Sequence, residues 1–275
     1  MPDDFVDLTV TSPPYDDMDE NFNPISKNGM RDYNDYEWDF KKIANELFRV
    51  TKIGGVVVWV VNDPTIYGSE SLASSLQKIF FRRVGFNIHD TMIYNKNGFR
   101  YPFDKLYHQV YEYMIVLSRN TPKTFNHLMD RKIIYTKKRY VQNKRQKDGS
   151  FSRRSGYQPG LASKRYNIWS INPGGKESED KIEHPGFFPE ALARDHIYSW
   201  SNEGDLVYDP FIGSGTTSKM AHLMKRNWIG SEISQEYVDL ANKRLEKYLN
   251  QTDLFAPEKA NGREMDILKQ TSLAI

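Results

Sequence analysis

Residues 11–15, Thr-Ser-Pro-Pro-Tyr, set an aromatic ring, a side-chain hydroxyl and several carbonyl oxygens within a few positions of one another. Two consecutive prolines fix their own φ and donate no N–H, so the stretch is stiff and must end a strand. A ring held at a fixed distance from such acceptors can stack on a planar substrate while the acceptors grip hydrogens on its edge. That suits the exocyclic amino group of a nucleobase. The amino lone pair is delocalised into the base, so acceptors on its hydrogens favour the pyramidal, nucleophilic form and aim it in line at a methyl donor. Such catalysis works by positioning and preorganised dipoles. From average usage, Asp/Asn/Ser-Pro-Pro-aromatic turns up by chance in about one chain per hundred of this length. A rigid strand-to-loop turn would use the same letters.

The second run is residues 209–217, Asp-Pro-Phe-Ile-Gly-Ser-Gly-Thr-Thr. Glycines there let the backbone turn sharply and come close to a ligand, and N–H groups at a helix start are free to bind a carboxylate or phosphate. No Gly-Lys-Ser/Thr follows, so this is not a Walker loop. Glu232 comes sixteen residues after Thr216 and closes Ile229-Gly230-Ser231-Glu232. An acid at the end of a second strand is where an α/β fold holds a ribose diol. A tight turn plus a solvated glutamate is the plainer account of the same residues.

The flanking periodicities say which elements must carry these runs. Residues 5–10 alternate as a strand and feed Thr11. Trp38–Val50 has helical spacing through Phe40, Ile43, Ala44, Leu47 and Phe48, with Gly54-Gly55 as its exit. Val56–Val61 reads as a strand buried on both faces, hence part of a parallel sheet under helices. A helix fits Ser71–Val84, then strands near Phe86–Tyr94 and Val110–Leu117 as a terminal antiparallel pair. Beyond a turn-rich stretch come a helix over Pro189–Trp200, a strand Leu206–Tyr208, a helix Thr216–Met224 and a strand Trp228–Ile233. The last helix, Gln235–Leu249, has Ser234 as its N-cap. The rhythm is that of one doubly wound α/β sheet with an insertion.

The insertion is where the charge lies. The whole chain of 275 residues is nearly neutral, with 38 Lys+Arg against 36 Asp+Glu. Yet Arg119–Arg165 holds fourteen Lys/Arg and two acids (Asp130, Asp148), a local +12 that leaves −10 for the rest. Interleaved with Tyr135, Tyr140, Phe151, Tyr157 and Tyr166, this density suits a polyanion, since neutralising phosphates is what such charge does best. Lys137, Lys138, Arg139, Lys144, Arg145, Arg153 and Arg154 are the candidate DNA contacts, although a single cluster such as Lys137-Lys138-Arg139 fits solvated surface as well. Which side chains read bases does not follow from the sequence. Cysteine is absent, which excludes disulfides, thiolate zinc sites and cysteine nucleophiles, and the six histidines show no metal-ligand spacing, so no metal is expected. With no apolar run near the ~20 residues of a membrane span, and an acidic start unlike a signal peptide, a cytoplasmic protein is expected.

Ser-Pro-Pro-Tyr at one strand end and Asp-Pro-Phe-Ile-Gly-Ser-Gly-Thr-Thr at another resemble the motifs of the S-adenosylmethionine-dependent amino-methylating DNA methyltransferases. The stretch 184–192, His-Pro-Gly-Phe-Phe-Pro-Glu-Ala-Leu, leading through Gly204-Asp205 into Asp209, is similar to the segment before that family's cofactor loop. The order of catalytic motif, basic insertion and cofactor loop, over about residues 5–250, is that of its β class. Relatives acting on RNA or on protein glutamine place the cofactor loop first.

The resemblance implies a Rossmann-like, seven-stranded, mostly parallel sheet. It implies a catalytic half in residues 1–118, a target-recognition region in 119–183, a cofactor-binding half in 184–250 and a tail in 251–275. Ser12, Pro13, Pro14 and Tyr15 would hold a base flipped out of the duplex, with the acidic loop Asp16–Asp35 able to close over it. Asp209, Phe211 and Gly213 would surround the methionine part of S-adenosylmethionine, with Gly215 and Thr216 in the same loop, Glu232 on its ribose and Phe188 as its far wall. Double-stranded DNA is the implied partner, with a cognate restriction endonuclease and a second copy of the chain added by analogy. Ser12 stands where cytosine-N4 relatives mostly carry Ser and adenine-N6 relatives mostly carry Asp or Asn. Cytosine N4 is therefore the expected target, with adenine N6 the alternative. A non-catalytic DNA-binding protein that keeps the methyltransferase fold is the rival from another class. Relatives usually carry a Gly-Asp strand end about fifteen residues before the catalytic motif, near the cofactor adenine. This chain begins too late to contain it, so either the start is truncated or another segment takes that place.

Overall fold

The computed structural model describes residues 1–15, 21–22, 39–66, 68–96, 98, 105, 107–132, 140–156, 162–173 and 188–249. The chain starts with β1 (Val6–Thr11), followed by α1 (Phe40–Val50) and β2 (Thr51–Val61). Asp39 caps α1 by accepting the Lys42 N–H at 3.1 Å, and Phe40, Ala44, Leu47 and Val50 form its buried stripe. The expected glycine exit is corrected. Thr51 ends the helix, its hydroxyl and N–H both donating to the Leu47 carbonyl, and β2 begins at once. Gly54 and Gly55 lie inside the strand, where the pairing with β1 slips between Val6↔Thr51 and Leu8↔Val56. Gly54 sits at φ +81°, and a Cβ on Gly55 would come within 3.0 Å of the Asp7 carbonyl, so the irregularity needs both glycines.

Then follow α2 (Ala73–Val84), β3 (Asn87–Lys96), β4 (Tyr111–Ser118), β5 (Ile168–Ile171), α3 (Glu190–Trp200), β6 (Leu206–Asp209), α4 (Thr216–Leu223), β7 (Asn227–Gly230) and α5 (Gln235–Leu249). The seven strands form one sheet in the order β5-β3-β4-β2-β1-β6-β7. Only β4 runs against its neighbours. β3 and β4 pair antiparallel as expected, but they do not end the sheet. Residues 168–171, within the stretch read as turn-rich, add parallel to β3 as the edge strand. Four residues after a basic run offer too little periodicity to be read as a strand.

Residues 56–61 are buried throughout, between β1 on one side and β4 on the other. Against one face Phe40, Trp59, Phe81 and Phe86 interlock edge to face, with Phe40–Phe81 and Trp59–Phe81 centroids both 5.2 Å apart. Trp59 satisfies its indole N–H on Gln77 Oε1 at 2.8 Å. The helix after β1 leads to β2 on one side, and the helix after β6 leads to β7 on the other. Right-handed crossovers in opposite directions put those helices on opposite faces and leave a crevice between the carboxyl ends of β1 and β6.

The chain divides into two compact units, 1–126 with 167–275, and 127–166. The second unit contains an antiparallel hairpin, Tyr140–Arg145 with Phe151–Gly156, and a short pair, Arg131–Lys132 with Ala162–Ser163. No helix among the described residues is long and apolar enough to cross a membrane.

Candidate active site

Both sequence runs end at that crevice. Leu8 pairs with Val207 and Thr9 with Tyr208 across parallel strands, so Thr11 and Asp209 emerge at the same edge of the sheet. The Thr11 hydroxyl donates to Asp209 Oδ1 at 2.6 Å, tying the two strand ends together. Pro13 is buried, while Ser12, Pro14 and Tyr15 are half-buried. The Ser12 Oγ and Tyr15 hydroxyl lie 3.1 Å apart, so the turn folds the ring back toward the serine. The stretch thus presents its hydroxyl and its ring together.

The loop after β6 turns at Gly213 (φ +48°) and Gly215 (φ +80°). Asp209 Oδ1 also accepts the Phe211 N–H at 3.0 Å. Glu232 Oε2 accepts the Gly213 N–H at 3.0 Å, and Oε1 accepts those of Ile233 and Ser234 at 2.9 and 3.0 Å. The Ile212 and Gly215 N–H groups go to the Ser231 and Ile212 carbonyls. Four N–H groups of the loop ahead of α4 are therefore bonded within the loop and to Ser231 and Glu232.

Asp209 is buried, and loss of hydration pushes its carboxyl up to about 6, against hydrogen bonds from Thr11, Thr217 and the Phe211 N–H that pull it down. A buried carboxylate with Glu232 beside the same loop and no lysine within it fits a cationic ligand with a diol. It would repel a phosphate. A sulfonium nucleoside such as S-adenosylmethionine meets that requirement.

Three residues that the sequence reading missed hold the loop from beneath. Arg244 of α5 donates to the Ser214 carbonyl at 3.0 Å, to Thr216 Oγ1 at 2.9 Å and to Glu190 Oε1 at 2.6 Å. Lys219 of α4 reaches the same Glu190 oxygen at 2.8 Å and lies over the Tyr248 ring. Arg244 and Lys219 are charged groups almost wholly withdrawn from water, so their only sequence signal is an Arg and a Lys on the apolar faces of helices. Gly230 was also missed. A Cβ there would lie 2.1 Å from Ile212 Cδ1, so β7 can approach the loop only with glycine at that position.

Of the other expected residues, Phe211 packs against Trp59, with centroids 6.2 Å apart, as a partly buried extension of the core. Phe188 is half-buried just before α3. Arg145 is exposed near the hairpin tip, and Lys144, Arg153 and Arg154 occupy hairpin strand positions opposite Ser152, Asn143 and Gln142. Lys137, Lys138 and Arg139 lie outside the described residues, as does nearly all of the acidic loop.

A family model described as DNA methylase matches residues 6–243. The chain is 50% identical over 252 residues to the orphan methyltransferase M.BamHII of Bacillus amyloliquefaciens, covering 89% of this chain and 90% of that one. It is 27% identical over 250 residues to the type II methyltransferase M.HpaI of Haemophilus parainfluenzae, covering 90% and 70%. Among solved structures, the cytosine-N4-specific PvuII DNA methyltransferase superposes with a TM-score of 0.63 at 21% identity, covering 89% of this chain and 80% of that one.

Proposed function

The chain belongs to the DNA methylase family of S-adenosylmethionine-dependent N6/N4 amino methyltransferases acting on DNA, and within it we propose N4 of a flipped cytosine as the methyl acceptor. The observation that carries this reading is Ser12, whose hydroxyl stands 3.1 Å from that of Tyr15 at the end of β1. A neutral hydroxyl is a weaker acceptor than a carboxylate and a shorter one than an amide, which suits the smaller pyrimidine. The likeness to the PvuII enzyme, at 21% identity, is one of fold.

In this reading Tyr15 stacks on the extruded base, while Ser12 Oγ and the Pro13 carbonyl take the amino hydrogens. Pro13 and Pro14 hold those acceptors still, so little reorganisation is needed as charge develops on nitrogen. S-adenosylmethionine, when bound, supplies an electrophilic methyl group on a positively charged sulfur. Asp209 faces that charge, with Phe211, Gly213, Gly215 and Thr216 around the methionine portion, Glu232 on the ribose and Phe188 as the far wall. The bond from Thr11 to Asp209 fixes the distance between the two pockets. As the nitrogen gains the methyl group it gives up one proton, which leaves along the acceptors to solvent.

Residues 119–183 form the target-recognition region, in which Lys137, Lys138, Arg139, Lys144, Arg145, Arg153 and Arg154 meet the phosphates and grooves of DNA. An endonuclease sharing the recognition site and a second copy of the chain are further partners that the family pattern supports. The test is chemical. Duplex DNA methylated by the enzyme is digested to nucleosides and the modified one identified by mass. N4-methylcytosine is expected, and N6-methyladenine alone would overturn the base assignment while leaving the enzyme class intact.

A further inference from the structure

We propose that the hairpin Tyr140–Arg145/Phe151–Gly156 enters the major groove and reads base edges with Arg145 and Phe151 at its tip, an assignment that rests on the DNA methyltransferase reading above. The strands pair antiparallel from Tyr140↔Gly156 to Arg145↔Phe151. Directly paired residues share a face and faces alternate along a strand, so Asn143, Arg145 and Phe151 lie on one side of the ribbon. All three are exposed, Phe151 by 68%.

The turn between the strands is built to hold that display. The Gln146 N–H donates to the Ser150 carbonyl at 2.7 Å and the Gly149 N–H to the Gln146 carbonyl at 3.1 Å, with Gly149 at φ +85°. The hairpin's one acid, Asp148, accepts the Ser150 N–H at 2.9 Å and its hydroxyl at 2.7 Å, so its carboxylate is engaged within the turn. Around it residues 140–156 carry five cations, Lys144, Arg145, Lys147, Arg153 and Arg154.

A cationic, two-stranded ribbon matches the major groove, which is about 12 Å wide and admits such a ribbon whole. Phosphate binding alone would need only the lysines and arginines. It gives no role to a phenylalanine held in water beside an arginine. Base edges account for both. The thymine methyl is the apolar group the major groove offers, and N7 and O6 of guanine are the acceptor pair that a guanidinium fits. Side chains paired across a ribbon start roughly 5 Å apart, more than one base step, so Arg145 and Phe151 address the same or neighbouring base pairs.

Wild-type enzyme and the variants Arg145→Ala, Phe151→Ala and Lys147→Ala are each given plasmid DNA. The methylated positions are read by modification-sensitive sequencing, and cofactor binding is followed by calorimetry. Arg145→Ala is expected to lower discrimination at one guanine-bearing position by about 10-fold to 100-fold, and Phe151→Ala to relax a neighbouring thymine, with cofactor affinity unchanged. Lys147→Ala is expected to slow methylation at all sites alike and leave the consensus intact. If a variant is too slow to sequence, the ratio of specific to non-specific duplex binding in competition must fall by the same factor. Unchanged discrimination at every position in both the Arg145 and Phe151 variants overturns the proposal. Wild-type enzyme that methylates no DNA overturns the methyltransferase reading and this proposal with it, a failure distinct from the first because it appears before any substitution.

Discussion

Replacing Arg244 by Met keeps most of the side-chain volume and removes the guanidinium that joins α5 to the glycine loop. Its bonds to the Ser214 carbonyl at 3.0 Å and Oγ at 3.4 Å, to Thr216 Oγ1 at 2.9 Å and to Glu190 Oε1 at 2.6 Å go with it. The Arg244 side chain is 3% exposed, and burial already holds its pKa below the ordinary arginine value, so the partners lose a donor where water cannot replace it. Breaking a buried ion pair costs about 3–5 kcal/mol. Here Glu190 keeps Lys219 at 2.8 Å and is a quarter exposed, which reduces the expected loss to about 2–3 kcal/mol. For a chain of this size that lowers Tm by about 5–10 °C. Urea unfolding of Arg244→Met, Glu190→Gln and the double variant measures it, with an expected coupling of at least about 1 kcal/mol. A loss under about 0.5 kcal/mol, or strictly additive single variants, would refute the claim that this cluster braces the loop.

Burial raises Asp209 from 3.8 to about 6, so the folded chain binds this proton more tightly than the unfolded chain, and stability falls as pH rises between those values. Asp209→Asn should therefore unfold no more easily than wild type at pH 7.5 while binding the cofactor poorly, and wild-type affinity, followed by calorimetry, should fall as pH drops through about 6 and the carboxylate facing the sulfonium is neutralised. Glu232→Ala should weaken cofactor binding by about 1–3 kcal/mol, because a carboxylate that now accepts the Gly213, Ile233 and Ser234 N–H groups is removed from both the loop and the ribose; unchanged affinity would remove Glu232 from the site. Neutralising Lys137, Lys138 and Arg139 together should lower DNA affinity and flatten its salt dependence by a slope of about 0.9 for each phosphate left without its cation, and an unaltered slope would mark them as solvent-facing.

The sheet was legible because its core strands are long and β-branched and its helices carry apolar stripes at regular spacing. Thr11 and Asp209 could be placed at strand ends for the same reason, with prolines and glycines marking where each strand had to stop. What escaped reading depended on tertiary packing. Thr51, not Gly54-Gly55, ends α1, because a capping hydroxyl outcompetes a glycine signal three residues later. Ile168–Ile171 joins the sheet through pairing with β3, which its four residues do not announce. Arg244, Glu190 and Lys219 come from three separate helices, and nothing in their spacing says that they meet. The bonds that Glu232 and the backbone carbonyls take from the glycine loop's own N–H groups likewise appear only in the folded chain.

The central claim is that the turn after β1 holds an amino-bearing base against a methyl donor seated at the turn after β6. Single-turnover transfer of a labelled methyl group from S-adenosylmethionine to duplex DNA, compared between wild type and Tyr15→Ala at saturating cofactor, tests it most directly. The account predicts label in DNA with wild type, a rate lower by about 10-fold to 100-fold in Tyr15→Ala because the base no longer stacks, and the same cofactor affinity in both. No label in DNA with wild type, or transfer by Tyr15→Ala at the wild-type rate, would contradict it.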